Sequence, residues 1–381
     1  MFNPPLPRSR RQFLVALGAG TVSLLSTGLL TGRGASSRGI DNSIQWQPSN
    51  TWVFAIGVLT YPEGEAWPQA GRRDAAMVKA LRRAGVPDQQ IMFIKDQKAT
   101  RKYIKQQFQA FLSKAPNNTT LWFYFTGHGG KQDSGIGTFE LYDGSWSNKS
   151  MVAAIEKYFR GERALLFADC CYSGSLCEYI TRNPGRVAYA ALGSSSASQE
   201  STGAWTFTNC LVTALQGKAF VDTDKNAQIS ITELASFAEL EMAANDGQLS
   251  TFSTANGFNK NMVLRHGQPR RDPRVGSYVH ASSSDGSQGL GRIEAIDGDN
   301  FLLRWSSYDE AIKEWVNSSN TRPWNPQVYA NGSKVLVLSD KKWYPAVVLN
   351  SKYGVHFIHY DDYESVWDEW VSPGRIKPAR G

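Results

Sequence analysis

The chain has 381 residues, of which 41% are hydrophobic, 20% charged and 12% aromatic. It is too long for one ordinary hydrophobic core and too apolar for a disordered chain, so two or three domains are expected. Most of its net charge of +7 comes from residues 1–40, which contain five arginines and no acidic residue. The rest is nearly neutral, with 36 basic and 34 acidic side chains, and this balance argues against nucleic acid as a partner.

Residues 1–40 are predicted to be an export signal. The sequence Ser-Arg-Arg-Gln-Phe-Leu at residues 9–14 leads into an uncharged, apolar stretch that ends at Leu30. Two arginines before a moderately apolar, glycine-containing segment resemble the twin-arginine signal, which implies export to the periplasm or its equivalent. A single-pass membrane anchor stays open as an alternative, because about 18 apolar residues is the lower limit for spanning a bilayer.

Residues 50–264 alternate short apolar runs with amphipathic segments, which is typical of an α/β fold. The predicted strands are Trp52–Leu59, Gln90–Ile94, Thr120–Thr126, Ala164–Asp169 and Val187–Leu192. The predicted helices are Asp74–Ala84, Arg101–Leu112, Met151–Phe159, Thr206–Leu215 and Ile231–Met242. This order predicts a mostly parallel sheet flanked by helices, with ligands at the carboxyl ends of the strands.

The carboxyl-terminal part of the chain has a different character. Residues 265–274 are basic and contain two prolines, which predicts a linker. Beyond them, the segment Phe301–Tyr308 returns 55 residues later as His356–Tyr363. Each copy has the short alternating strands of a small barrel, so we expect two SH3-like β-barrels at residues 275–323 and 329–378.

Two turns carry the chemistry that the sequence offers. His128 lies in the turn Thr-Gly-His-Gly at the end of one predicted strand, and Cys171 lies in the turn Asp-Cys-Cys-Tyr-Ser-Gly at the end of another. Because both turns follow strands of a parallel sheet, they should meet at the same edge. A cysteine nucleophile needs a neighbouring imidazole to raise its thiolate fraction or to protonate the leaving group. A metal site made of His128 and the cysteines is a weaker alternative, since no paired Cys-x-x-C spacing is present.

These turns resemble those of the caspase-like cysteine peptidases, of the metacaspase and bacterial orthocaspase type. The segment Gln69–Ala76 is similar to a helix start of that family, although an arginine stands where the family has asparagine. The resemblance implies a caspase-like fold and a cysteine endopeptidase, in which Cys171 is the nucleophile and His128 the acid and base. The backbone N–H groups of Gly129 and Cys171 would form the oxyanion hole, and Cys170 occupies a variable position.

Asp74 and Asp169 are the predicted substrate-binding residues. They align with the acidic residues that line the first specificity pocket of metacaspases, which implies protein or peptide substrates cleaved after arginine or lysine. Each acid also has a purely structural alternative. Asp74 would complement the dipole at a helix N-terminus, and Asp169 would be a strand-end turn residue.

Residues 222–233 resemble a calcium-binding loop of the EF-hand type. Its oxygen ligands would include Asp222, Asp224, Asn226 and Glu233. They stand at positions 1, 3, 5 and 12 of the loop, whereas position 6 is Ala227 in place of the usual glycine,. The alternative is a polar turn that caps the following helix through Ser230 and Glu233. Calcium is therefore a candidate ligand, and the peptidase chemistry itself needs no cofactor.

The two barrels resemble chromo-barrel and Tudor-like modules. In the second barrel, an aromatic cage for a cation is predicted from Tyr344, Tyr360, Tyr363 and Trp367,. The first barrel has Ile312 where the second has Trp367, so its cage is expected to be incomplete. A cationic peptide or an envelope component is the expected ligand. The alternative is that these aromatic side chains only fill two small cores.

Two functions follow from these features. The first is an exported cysteine endopeptidase with accessory barrels. The alternative is a catalytically inactive caspase-like protein that binds ligands through its aromatic carboxyl-terminal barrels. The presence of both His128 and Cys171 favours the enzyme.

Overall fold

The computed structural model describes residues 45–63, 66–306 and 312–379. The predicted export signal at residues 1–40 lies outside the described residues. Within the described ranges, no helix is both long enough and apolar enough to cross a membrane.

A six-stranded sheet forms the centre of the amino-terminal domain. In chain order, the strands of this domain are β1 (Thr51–Gly57), β2 (Ile91–Lys95), β3 (Thr120–Thr126), β4 (Gly129–Lys131), β5 (Gly137–Leu141), β6 (Gly144–Ser147), β7 (Arg163–Asp169), β8 (Ala188–Gly193), β9 (Gln228–Ser230), β10 (Thr251–Ala255) and β11 (Val263–His266). The large sheet has the order β10-β8-β7-β3-β1-β2, and only the β8–β10 pair is antiparallel. The predicted mostly parallel sheet is confirmed, and the ends of its five predicted strands differ by at most two residues.

Six α-helices of the described chain cover the two faces of this sheet. They are α1 (Arg73–Ala84), α2 (Arg101–Lys114), α3 (Asn148–Tyr158), α4 (Gly174–Arg182), α5 (Thr206–Leu215) and α6 (Ile231–Asp246). Side chains of α1, α5 and α6 pack on one face, and those of α2, α3 and α4 pack on the other. Successive strand residues serve opposite faces, so Trp122 joins the first core and Phe123 the second,. Because both faces are covered, every residue of β3 is buried,.

Four features of this domain are not predicted from the sequence: α4, β10, the antiparallel pair of β9 and β11, and a small antiparallel sheet formed by β4, β5 and β6. α4 begins three residues after Cys171 and fills a segment that the sequence suggests is a short loop. All five residues of β10 are half-buried, so this edge strand lacks the alternation that identifies a strand. β11 extends through His266, which places the first two residues of the predicted linker in a strand.

Two five-stranded antiparallel sheets follow. Their strands are β12 (Tyr278–Ser282), β13 (Gln288–Asp297), β14 (Asn300–Trp305), β15 (Lys313–Asn317) and β16 (Thr321–Pro323), then β17 (Lys334–Ser339), β18 (Lys342–Lys352), β19 (Val355–Tyr360), β20 (Glu369–Val371) and β21 (Ile376–Pro378). Their strand orders, β15-β14-β13-β12-β16 and β20-β19-β18-β17-β21, are equivalent. Leu303 and the residue 55 positions later, Ile358, are both fully buried. The sequence repeat is therefore a structural repeat of two small barrel-like modules, as predicted.

Charged and polar contacts join both barrels to α6. Glu241 of α6 is 2% exposed and pairs with Arg292 of the first barrel through a 2.5 Å contact. The same carboxylate accepts a hydrogen bond of 2.6 Å from the hydroxyl of Tyr278. In the second barrel, Lys352 pairs with Glu239 of the same helix. Both barrels are thus held against the domain that carries the candidate catalytic residues.

Candidate active site

The candidate catalytic residues lie in two adjacent turns at the carboxyl edge of the large sheet. β3 and β7 are parallel neighbours, and their last residues, Thr126 and Asp169, pair in register. His128 and Cys171 each stand two residues further along the chain. The N–H of Gly127 donates to the carbonyl oxygen of Asp169 at 3.4 Å. The two turns are therefore in direct contact.

The glycines on either side of His128 are required by this contact. Gly127 has a φ of +148°, and a Cβ atom there would lie 2.7 Å from Oη of Tyr61. A Cβ atom on Gly129 would lie 2.0 Å from the carbonyl oxygen of Cys171. Both distances are far shorter than a carbon atom tolerates, so only glycine lets the His128 turn approach the Cys171 turn.

His128 and Cys171 line one cleft with a volume of about 150 Å³. The imidazole ring of His128 contacts the rings of Tyr61 and Trp67, with centroids 4.8 Å and 4.4 Å away. The Tyr61 hydroxyl also accepts the backbone N–H of His128 at 2.8 Å. These aromatic contacts orient the imidazole, a role for which the sequence indicates no residue.

The thiol of Cys171 is half-buried and lies among backbone N–H groups. The N–H of Ser201 donates to Sγ at 3.3 Å. Burial raises the pKa of the thiol above its ordinary value, although the Ser201 contact and the N–H groups of Gly129 and Cys171 itself act to lower it,. The resting side chain is therefore a neutral thiol that needs a base to become the nucleophilic thiolate.

Cys170 is placed differently from its neighbour. Its side chain is 3% exposed and packs in the core on the face covered by α2, α3 and α4. Burial raises the pKa of its thiol far above the ordinary value. Its backbone N–H donates to Oγ of Ser194 at 3.1 Å. Cys170 is therefore held as a buried side chain.

The segment after the nucleophile is fixed by a loop that also contacts the second barrel. Tyr172 has a φ of +58°, which few residues other than glycine adopt. Its N–H donates to the carbonyl oxygen of Gln199 at 2.8 Å. The side-chain amide of Gln199 donates to the carbonyl oxygen of Trp370 in β20. The loop that positions the Cys171 turn is therefore itself held by the second barrel.

Asp74, which is predicted to bind the substrate, is not among the described residues that line the cleft. Its carboxylate is completely buried and forms a bidentate pair with Arg72, with an Nη2–Oδ2 distance of 2.6 Å. The same guanidinium contacts Asp96 at 2.6 Å. The charge that the resemblance assigns to a substrate cation is thus neutralised by an arginine two residues away. Asp74 also lies in the first turn of α1, as its structural alternative requires.

Asp169 does line the cleft. It is 7% exposed, and its Oδ2 accepts a hydrogen bond of 2.6 Å from Oγ1 of Thr208 at the start of α5. Burial raises the pKa of this carboxyl to about 7, and the charge of the nearby Asp246 acts in the same direction,. In the described part of the chain, no lysine or arginine forms an ion pair with Asp169, whereas hydrogen bonds from Thr208 and Ser194 act to lower the pKa of its carboxyl.

The acidic residues of the candidate calcium loop come together. Carboxylate oxygens of Asp222, Asp224 and Glu233 lie within 4.8 Å of one another. Position 6 has a φ of +61°, a conformation in which glycine would carry no Cβ penalty. Asn226 uses its Oδ1 to accept the N–H of Gln228 at 2.7 Å. The structure also contains the alternative, a polar turn that caps a helix, because Glu233 and Ser230 form a complete capping box at the start of α6,.

Three of the four predicted cage residues pack against each other. The rings of Tyr344, Tyr360 and Tyr363 lie 6.1 Å to 6.5 Å apart at angles between 67° and 90°. Trp367 is half-buried and packs on the same small core. In the first barrel, Ile312 is 48% exposed. The second barrel therefore combines mutually perpendicular aromatic rings, and the same rings contribute to its core.

The sequence patterns miss several residues of the cleft region. Tyr61 and Trp67 lie in an irregular loop after β1, Ser201 lies in the loop before α5, and Asp246 is the last residue of α6. None of them belongs to a periodic segment or to a motif of the peptidase resemblance. The only sequence signal for any of them is the concentration of polar residues in the segment 193–203, which contains Ser201.

The comparisons with known proteins concern two parts of the chain. Residues 329–378 match the family described as the RNA binding activity-knot of a chromodomain, also called Tudor-knot. No curated protein sequence matches the chain. Among solved structures, protein GSU0716 from Geobacter sulfurreducens is 16% identical, with a TM-score of 0.44, and covers 57% of this chain and 100% of its own.

Caspase-1 from Spodoptera frugiperda is 14% identical, with a TM-score of 0.40, and covers 63% of this chain and 100% of its own. The AGD34 part of AGDP1 from Arabidopsis thaliana is 21% identical, with a TM-score of 0.14, and covers 28% of this chain and 81% of its own. Residues 329–378 are thus similar to a chromodomain-like family, and the part of the chain that aligns with the caspase structures includes the α/β domain described above.

Proposed function

We propose that this protein is a cysteine endopeptidase that cleaves protein or peptide substrates after arginine or lysine. The observation that carries the proposal is the meeting of His128 and Cys171 in one cleft, on adjacent turns that begin at a register-paired position of β3 and β7. A half-buried thiol that contacts backbone N–H groups and shares a cleft with an imidazole has the groups that acyl transfer to sulfur needs,.

In the first half of the reaction, the imidazole of His128 takes the proton of the Cys171 thiol, and the sulfur attacks the carbonyl carbon of the scissile bond. A base is required because burial keeps the pKa of this thiol raised,. The negative charge that develops on the carbonyl oxygen is stabilised by the N–H groups of Gly129 and Cys171. The loss of one such donor costs about 10²–10³ in rate.

The intermediate collapses when the carbon–nitrogen bond breaks and His128 gives its proton to the leaving amine. A thioester between Cys171 and the substrate carbonyl results. Water, deprotonated by the same imidazole, then attacks the thioester and restores the thiol. Tyr61 and Trp67 hold the imidazole ring throughout, through the contacts described above.

The proposed preference for a basic residue rests on Asp169. This carboxylate lines the cleft, and no cation of the described chain pairs with it, so an arginine or lysine of a substrate would be its natural partner,. An acidic substrate side chain would be repelled from the same place. Asp74 does not contribute, because Arg72 already binds it.

A library of fluorogenic peptides with each amino acid before the scissile bond tests this proposal. We expect turnover of the arginine and lysine members only, and no turnover by Cys171→Ala. Preferred cleavage after aspartate, or turnover that persists in Cys171→Ala, would contradict the proposal.

A binding role for the second barrel is a second candidate function, favoured by the perpendicular rings of Tyr344, Tyr360 and Tyr363. A peptide with a trimethylated lysine, an unmodified lysine-rich peptide and an RNA oligonucleotide would be titrated against the protein by fluorescence anisotropy. If the cage binds a cation, Tyr363→Ala should weaken binding of the methylated peptide more than binding of the other two ligands. Binding of RNA alone would instead support the activity named in the description of the matching family.

A further inference from the structure

We propose that Gln199 is a positioning residue for the nucleophile, and that it makes the reactivity of Cys171 depend on the second barrel. In this assignment the second barrel completes the active site, because it holds the loop that contacts the sulfur atom. This loop, residues 194–203, is called the thiol loop below; it follows β8 and precedes α5. The inference rests on the proposed peptidase function, since the positioned group is the nucleophile of that reaction.

The thiol loop contacts the nucleophile turn through its backbone. The N–H of Ser201 donates to Sγ of Cys171 at 3.3 Å, and Sγ lies 3.8 Å from the carbonyl oxygen of the same serine. The carbonyl oxygen of Gln199 accepts the N–H of Tyr172, the residue after the nucleophile, at 2.8 Å. The N–H of Ser201 favours the thiolate over the thiol,. The reactivity of the sulfur therefore depends on where residues 199–201 lie.

The side chain of Gln199 connects the thiol loop to the second barrel. Its Nε2 donates to the carbonyl oxygen of Trp370 in β20, and its Oε1 accepts the hydroxyl of Ser196 at 3.0 Å within the loop. Because a carbonyl oxygen only accepts hydrogen bonds, it must pair with the amide nitrogen, which fixes the orientation of the amide. One side chain thus joins the backbone that contacts the thiol to a strand 171 residues further along the chain.

The acceptor of this hydrogen bond is held on the amino-terminal domain by packing. The ring of Trp370 packs against a small apolar cluster that includes Ala243 and Leu249, near the end of α6. Gly247, which ends this helix with a φ of +63°, approaches the barrel so closely that a Cβ atom there would lie 2.8 Å from Cβ of Ser372. The second barrel therefore offers a fixed point to which Gln199 attaches the thiol loop.

The first barrel shows that the repeat itself does not require this contact. Trp315 stands 55 residues before Trp370, at the equivalent position. Its side chain is 51% exposed, whereas that of Trp370 is half-buried at the end of α6. The first barrel contacts the same helix through Arg292 and Tyr278 instead. The docking of a tryptophan beside the thiol loop is therefore particular to the second barrel.

Alkylation of Cys171 by iodoacetamide, followed by peptide mapping, measures the reactivity of the thiol without a substrate. Gln199→Met removes the hydrogen bond to Trp370 and keeps the approximate size of the side chain. We expect alkylation at pH 7 to slow about 3- to 10-fold, as for the loss of one hydrogen bond of ordinary strength to the thiolate. The midpoint of the pH profile should rise by about half a unit to one unit. A contact that only adds stability would lower Tm and leave this midpoint unchanged.

Matched controls show where the effect arises. Ser196→Ala removes the other hydrogen bond of the Gln199 side chain and should keep the wild-type rate and midpoint. Trp370→Ala should slow alkylation as Gln199→Met does, whereas Trp315→Ala, the equivalent change in the first barrel, should not. All these variants keep the titratable and charged side chains that surround the thiol, which are His128, Asp169, Cys170 and Glu200.

Melting temperatures establish that the variants are folded, and Gln199→Ala replaces Gln199→Met if the latter is not. If neither folds, the comparison of Trp370→Ala with Trp315→Ala decides alone. An unchanged rate and midpoint in a folded Gln199 variant overturns the inference. Equal slowing by the two tryptophan variants, or by Ser196→Ala and Gln199→Met, also overturns it, because the effect would then not come from the second barrel.

Hydrolysis of an arginine peptide by the same variants separates this inference from the function on which it rests. We expect kcat to fall in parallel with the alkylation rate. A wild type that is alkylated at Cys171 and cleaves no peptide would contradict the proposed peptidase. The alkylation rates would still decide whether Gln199 positions the thiol.

Discussion

The preference of the proposed peptidase for arginine over citrulline, which keeps the shape of arginine and lacks its charge, is predicted to rise with pH. The test uses two peptides that differ only in this residue before the scissile bond. Burial raises the pKa of Asp169, the acid that lines the cleft, to about 7. A carboxyl group with a raised pKa is neutral at lower pH and binds a cation only after it has lost its proton. Binding of the cationic substrate is therefore weak near pH 5, increases through pH 6 and 7, and levels off near pH 8.

The size of the effect follows from this value. At pH 5, about one in a hundred Asp169 side chains would be ionised, whereas at pH 8 about nine in ten would be,. If the charge of Asp169 is needed, the ratio of kcat/KM for arginine over citrulline rises about 90-fold over this range.

Using the ratio removes the titration of the catalytic dyad, because both peptides are attacked by the same thiol. Burial keeps the pKa of the nearby Tyr124 and Cys170 well above their ordinary values. The assay is initial-rate hydrolysis of both peptides between pH 5 and pH 8 at constant ionic strength. A ratio that stays flat across this range would refute the reasoning.

Three further outcomes are expected. Cys171→Ala should abolish peptide hydrolysis and Cys170→Ala should keep much of it, because only the Cys171 sulfur lies among the N–H groups. The reverse pattern would show that the assignment of the nucleophile to Cys171 is wrong. Arg72→Ala should lower the free energy of unfolding in urea by about 3 kcal/mol, since it leaves a buried carboxylate unpaired, and a loss below about 1 kcal/mol would contradict this. Calcium should raise the melting temperature by mass action. Heats of calcium binding that are identical for the wild type and Asp222→Ala/Asp224→Ala would show that residues 222–233 are only a capped turn.

The large sheet could be predicted because its strands are buried on both faces. Thr120–Thr126 is almost continuously apolar and is followed by a glycine turn, so both its type and its end are visible in the sequence. β10 could not be predicted, because its residues are all half-buried at the edge of the sheet. α4 is short and starts directly at the nucleophile turn, where local signals indicate only a turn,.

The meeting of His128 and Cys171 could be predicted because parallel strands end at one edge. The pairing partners of individual acids could not. Asp74 and Arg72 are two residues apart in sequence, but only the three-dimensional arrangement shows that the guanidinium turns back onto the carboxylate. Asp246 lies 77 residues after Asp169 and approaches it only because α5 and α6 pack on the same face of the sheet.

Covalent labelling with an arginyl chloromethylketone tests the central claim most directly. The reagent carries the cation that the acidic pocket should bind and an alkylating group that a nearby reactive thiol should attack. We predict one adduct per chain by intact mass, located on Cys171 by peptide mapping and absent from Cys171→Ala. We also predict slower labelling in the presence of arginine amide, and little labelling by the aspartyl analogue. An adduct on Cys170, or equal labelling by both reagents, would contradict a basic-specific peptidase with Cys171 as its nucleophile.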